Sequence, residues 1–190
     1  LVDICNQFEN IIVLNNKSYD FDGVKIIGST LWTNIPDEQS QYIMAAINDY
    51  HLIKKYNEKK QLVNITTNDT NKWNALSISF IKKEIFSSKT PCIILTHHAP
   101  LFSDAAQNMY TAHPQYLNGK NNYAFHNNLQ HLLKPPVHVW LYGHTHYTSN
   151  FKYNNVIIAT NQLGYSTEGE KTKFNPHAYI NLNDIIIDSL

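Results

Sequence analysis

A chain of 190 residues, 43% hydrophobic and 16% charged, is long enough to bury a substantial core and reads as one globular domain. Fifteen basic residues cancel fifteen acidic ones, so the total charge lacks the footprint expected of a binder of nucleic acid or of an anionic membrane surface. No run approaches the roughly 20 apolar residues of a membrane span, and Cys5 and Cys92 lie far apart without CxxC spacing; a disulfide scaffold is not expected, and a reducing, cytoplasmic setting is.

In chain order, the first predicted elements are β structure: Ile11 to Leu14, Ser18 to Phe21, a tight Asp22-Gly23 turn, and Val24 to Gly28. From Pro36 the period becomes helical, with Ile43, Ala46, Ile47 and Tyr50 on one face. Lys54 to Asn68 is polar and reads as a loop. A second helix, capped among Thr67, Asn68 and Asp69, carries Trp73, Leu76, Phe80 and Ile81 as its expected buried stripe. After Pro91 comes a strand, Cys92 to Thr96. Leu101 to Asn122 lacks a regular period and suits a long loop over a site, whose Phe102, Tyr110, Tyr116 and Tyr123 suit either a lid or a satellite core. A short helix is expected over Tyr123 to Leu133, stopped by Pro135-Pro136, followed by a strand over Val137 to Tyr142. A hairpin turning at Asn154-Asn155 and final strands near His177 to Leu182 and Ile185 to Ile187 complete a mixed α/β reading, a mixed sheet with helices outside.

The chemistry concentrates at the ends of two of these strands. Ile93-Ile94-Leu95 leads into Thr96-His97-His98-Ala99-Pro100, and Val137 to Tyr142 leads into Gly143-His144-Thr145-His146. One histidine at a strand end is an ordinary polar residue, but four of the ten histidines fall in these two motifs. Neutral imidazole ligates Mn, Fe, Zn or Ni, and strand ends of α/β sheets are where ligands bind. His97, His144 and His146 are therefore the expected metal ligands. His98, whose side chain diverges from that of His97, is expected to support a ligand or face substrate. Glycine at 143 is expected to provide the sharp turn. No Asp or Glu occurs between Asp104 and Glu168, so the carboxylates of a binuclear site are expected from outside this chain. All fifteen cations are lysines, so no arginine fork is available for phosphate.

Other His-x-His sites fit poorly. Tyr147, Thr148 and Ser149 follow His146 where a metallo-β-lactamase needs Asp-His, no Glu follows as in a cupin, and too little chain remains for an amidohydrolase barrel. The series Gly28-Ser29-Thr30-Leu31-Trp32-Thr33, Thr96-His97-His98-Ala99-Pro100, Gly143-His144-Thr145-His146 and Asn161-Gln162-Leu163-Gly164-Tyr165 resembles the C-terminal portion of calcineurin-like metallophosphoesterases, in the bacterial-type Ser/Thr phosphatase-like branch, up to about residue 170. The resemblance implies the second half of a four-layer αββα sandwich. It implies two divalent ions, with His97 and His144 on one and His146 on the other, and in-line attack on a phosphoester by a metal-bound hydroxide. The family's upstream Asp-x-His, Gly-Asp and Asn-His motifs are expected to have no counterpart in this chain, so about the first third of such an enzyme is expected to be missing. Gln162 stands where the family usually has Pro, and Asn34 where Asp is common. A catalytically incomplete fragment or degenerate domain serving as a metal-binding or scaffold module is the alternative. Trp32 is expected in the core rather than the pocket, and His113, His126, His131 and His177 at surface or structural positions. The phosphoester class and the oligomeric state are left open.

Overall fold

The computed structural model describes residues 2–5, 7–165 and 173–187. A six-stranded mixed sheet organises them, built from β1 (Lys17–Phe21), β2 (Val24–Ser29), β5 (Cys92–Thr96), β6 (Val137–Leu141), β7 (Ser149–Tyr153) and β8 (Val156–Thr160) in the order β1-β2-β5-β6-β8-β7. The inner strands β2, β5, β6 and β8 run parallel, while each edge strand folds back antiparallel as a hairpin. Both hairpin turns take the left-handed backbone that their residues favour: φ is 47° at Asp22 and 81° at Gly23, and 48° and 66° at Asn154 and Asn155.

The period-2 alternation of the inner strands gives the sheet two apolar faces. On one, Ile27, Ile94, Trp140 and Ile158 lie in register and pack with Ile81, Ile85, Leu132 and Leu133 into the main core. Each such fully buried large side chain contributes roughly 1.5–3 kcal/mol of transfer free energy. On the other, Ile26, Ile93, Val139 and Ile157 pack with Leu95 and Leu141 against Ile180, Leu182 and Ile185 of the C-terminal segment, and several of these side chains remain half-buried. A mixed α/β architecture follows.

Helix α4 (Thr67–Ser87) covers the main core. Its N-cap is Thr66, one residue before the expected range; the Thr66 N–H and hydroxyl both donate to Asp69 Oδ2, at 3.0 and 2.9 Å. The buried stripe is Thr70, Asn74, Ser77, Ile81 and Ile85, while Leu76 is 63% exposed. The expected stripe thus missed its polar half, because Asn74 is buried for its hydrogen bonds: its amide donates to the carbonyls of Leu31 and Trp32 at 2.9 and 3.0 Å. Those carbonyls belong to two consecutive non-glycine residues at positive φ, 64° and 22°, a conformation that needs outside support.

Several expected elements differ. Ile11 to Leu14 is irregular. After a single helical turn, α1 (Val2–Cys5), the helix following Pro36 breaks into α2 (Asp37–Ala46) and α3 (Asp49–Leu52), and Ala46 is exposed. The expected loop after it contains a short hairpin, β3 (Lys54–Tyr56) with β4 (Leu62–Asn64). Tyr123 to Leu133 forms two single 3-10 turns rather than an α-helix, because Ala99 pairs with that segment: Ala99 N–H donates to Phe125 O at 3.0 Å and Asn127 N–H donates to Ala99 O at 2.9 Å. The expected final strands are absent among the described residues, and 182–187 is helix α5. No described helix is long and apolar enough to cross a membrane.

At Gly28 a Cβ would collide with the Cβ and carbonyl oxygen of Leu14, which crosses β2 there. Gly143 has no such neighbour, the closest being His97 Nδ1 at 3.5 Å, and its φ is not positive. Thermal melts should therefore show Gly28→Ala losing about 1–3 kcal/mol, as overpacked sites do, with Gly143→Ala close to wild type.

Candidate metal centre

Strands β5 and β6 end side by side, and the Gly143 N–H donates to the His97 carbonyl at 3.0 Å, one step beyond the ladder. This bond brings the two histidine motifs together. The turn itself is made elsewhere than expected: His144 and His146 take positive φ, 66° and 49°, whereas Gly143 does not. Ring centroids of His97, His98 and His144 lie 4.4–5.1 Å apart.

His98 is 1% exposed, with Trp32 against its ring at 5.3 Å. Its Nδ1 lies 3.2 Å from the Thr30 carbonyl, an acceptor, so Nδ1 carries the proton and Nε2 keeps a lone pair. Burial, with His97 beside it, pushes the His98 pKa down to about 3. The ring of His144 is covered by Phe125, and burial drives its pKa down to about 2, the neighbouring histidines adding to the fall. Its Nε2 is buried without a hydrogen-bond partner. Leaving such an atom unpaired costs about 1–3 kcal/mol, a cost that a ligand at this nitrogen would remove.

The sequence placed no carboxylate of this chain at these histidines, but the fold brings Asp49. It opens α3, held by Tyr50, which is buried with Ile35, Ile43 and Ile65 and whose hydroxyl lies 3.1 Å from Thr70 Oγ1. Asp49 Oδ2 lies 4.0 Å from His144 Nε2, and one ligand atom each from Asp49, His98 and His144 falls within 4.8 Å of the others. Burial raises the Asp49 pKa, while the neighbouring His97 works against that rise. Because burial keeps His144 neutral, the 4.0 Å approach is no ion pair at pH 7. It sets an anion beside lone pairs, the donor set of a borderline divalent cation. The expectation that this chain holds no Asp-x-His string is corrected by Asp49-Tyr50-His51, which was the available signal for Asp49; His51 itself points elsewhere, toward the Ala45 carbonyl at 3.1 Å.

The grouping that shares one point thus contains His98, where the sequence favoured His97. His97 and His146 are nonetheless beside it, lining with Asp49 and His144 a cavity of about 430 Å³ whose other walls include Phe125, Tyr116 and Tyr165. His97 is open on its cavity side, and burial of the rest of the ring pushes its pKa down, against the pull of Asp49. Tyr116 from the long loop reaches this cavity. Phe102 and Tyr123 do not; they meet edge to face beside His126. Trp32 is half-buried, between His98 and Trp73 at the margin of the second core cluster, and does not line this cavity. Of the two positions expected for His126, surface or structural, it takes the buried structural one: it is 3% exposed, donates from Nδ1 to the Asn122 carbonyl at 3.0 Å, and has an unpartnered Nε2.

Among curated proteins, the chain is 55% identical over all of its 190 residues to "Uncharacterized protein L509" of Acanthamoeba polyphaga mimivirus, of which it covers 67%. No family model matches the chain.

Burial holds the His126 pKa at about 4 against 6.5 for a free histidine. The unfolded chain therefore binds the extra proton first. The stability this group permits is fully present above pH 6.5 and is lost as pH falls through 4, by about 3 kcal/mol. His98 and His144 act in the same direction. Urea unfolding of the metal-free chain from pH 7.5 to 5 should show the midpoint falling, and His126→Phe should flatten that fall. A pH-independent midpoint contradicts the burial of neutral imidazoles.

Proposed function

We propose that this chain, which belongs to the family of the uncharacterized mimivirus protein L509, is a metal-dependent hydrolase of phosphoesters. The observation that carries the reading is the orphaned His144 Nε2 with a carboxylate and a second imidazole converging beside it at the ends of parallel strands. These donors fit a divalent ion of borderline type, Mn, Fe, Zn or Ni. Asp49, His98 and His144 would hold one ion, with His97 adjoining them, and His146 would give a nitrogen to a second. The chemistry such ions supply when bound is polarisation of a phosphoryl oxygen and a lowered pKa for water.

The chain's own residues do the rest. The Thr30 carbonyl fixes the His98 tautomer, so that Nε2 and not Nδ1 offers the lone pair. Phe125 and Trp32 cover the faces of His144 and His98 and keep water from their rings. Tyr116, Phe125 and Tyr165 bound the space beside the donors, where the organic part of an ester would lie. The finer architecture belongs to the same reading: the half-covered sheet face of Ile26, Leu95, Leu141 and Ile157 suits a second sheet packed on it, as in half of an αββα sandwich.

A single-ion binding module without turnover is the second reading. It is favoured by Asp49 being the one carboxylate grouped with the histidines among the described residues. Metal analysis after loading with Mn²⁺ or Zn²⁺, together with hydrolysis of mono- and bis-(p-nitrophenyl) phosphate, separates the two. The hydrolase reading expects bound metal and turnover, both lost in His144→Ala. Metal without turnover supports the binding module. Equal metal content in wild type and His144→Ala would sink both.

A further inference from the structure

We propose that Gln162 is the positioning residue of His146, clamping the second histidine motif in the geometry that aims its imidazole into the cavity; as a statement about a ligand residue, this rests on the metal-dependent reading above. Gln162 follows β8 by two residues, and its side-chain amide reaches back into the Gly143-His144-Thr145-His146 turn. Oε1 accepts the His146 N–H at 2.7 Å. Nε2 lies within donating reach of Thr160 Oγ1 at 2.6 Å, Thr145 Oγ1 at 3.0 Å and the Tyr147 carbonyl at 3.3 Å. The Gln162 backbone N–H donates to Thr148 Oγ1 at 3.0 Å. One residue thus ties down Thr145, His146, Tyr147 and Thr148 in succession.

The need for this clamp lies in the backbone. His144 and His146 are both left-handed, a conformation that costs a β-carbon-bearing residue of order 1 kcal/mol and persists only where its surroundings hold it. The amide orientation is unambiguous, since a flipped Gln162 would set its NH₂ against the His146 N–H. With the backbone of residue 146 held, its ring meets Tyr165 edge-on at 4.6 Å on the cavity wall.

The test uses Gln162→Ala and Gln162→Glu; the glutamate keeps an acceptor for the His146 N–H. In ¹⁵N-labelled protein, Gln162→Ala should speed His146 amide exchange at least tenfold and remove the nuclear Overhauser contact between the His146 and Tyr165 rings. The amides of β5 and β6 should keep wild-type exchange, and Gln162→Glu should restore the protection of His146. Affinity for a second Zn²⁺, the ion to which His146 is assigned, should fall about tenfold in Gln162→Ala by titration calorimetry, the lower end of what loss of a ligand's support costs. Unchanged exchange and ring contact in Gln162→Ala overturn the proposal. So does a lost ring contact with Zn²⁺ affinity unaltered, because the ring held there would then be no ligand. A wild-type chain that binds no second Zn²⁺ overturns the assignment of His146 to an ion, and the exchange and ring-contact data then decide separately whether Gln162 positions His146.

Discussion

The hydrogen bond from the Gly143 N–H to the His97 carbonyl is the constraint on which the candidate centre depends. It extends the parallel pairing of β5 and β6 past the last strand residues, so that two motifs separated by more than forty residues in the chain leave the sheet at the same height. Around it the two strand ends are pinned by side chains: Trp140 Nε1 donates to Thr96 Oγ1 at 2.9 Å, and the Thr96 hydroxyl donates to the His98 carbonyl at 2.7 Å. A buried tryptophan of the main core is thus wired to the backbone of the first histidine motif. Stability of the core and geometry of the site are one problem here.

Electrostatics follows from that placement. Crowding imidazoles under Phe125 and Trp32 penalises their protonated forms, and each positive charge would also raise the cost of the next. The result is a set of neutral lone pairs beside a half-buried carboxylate. In the absence of a cation this arrangement is unfavourable, with unpartnered Nε2 atoms at His126 and His144. A divalent ion held as proposed would remove the penalty at His144. His126 has no carboxylate grouped with it, and its cost is the more conventional one of a buried, singly bonded histidine.

Sequence legibility tracked the range of the interactions. The two hairpins were readable because Asp22-Gly23 and Asn154-Asn155 carry their own turn conformations, and β5 and β6 because buried parallel strands are short apolar runs. The histidine motifs were readable for the same reason, lying where those runs end. Elements fixed by distant partners were not. Ala99 captures the segment around Phe125 in backbone pairing and overrides its helical period. Asn74 and Ser77 are buried on α4 although a hydrophobic pattern assigns them to water. Asp49 reaches the histidines through the packing of Tyr50 against Thr70, and Gln162 through a bond to a residue sixteen positions earlier. Each of these depends on tertiary contact, for which no local period exists.

The central claim is that imidazoles of both motifs and a carboxylate of this chain share one cation. X-ray absorption fine structure of the chain loaded with one equivalent of Zn²⁺ measures this directly. The account predicts outer-shell scattering from at least two imidazoles together with oxygen, as His98, His144 and Asp49 require. A spectrum with oxygen ligands and no imidazole scattering would contradict it.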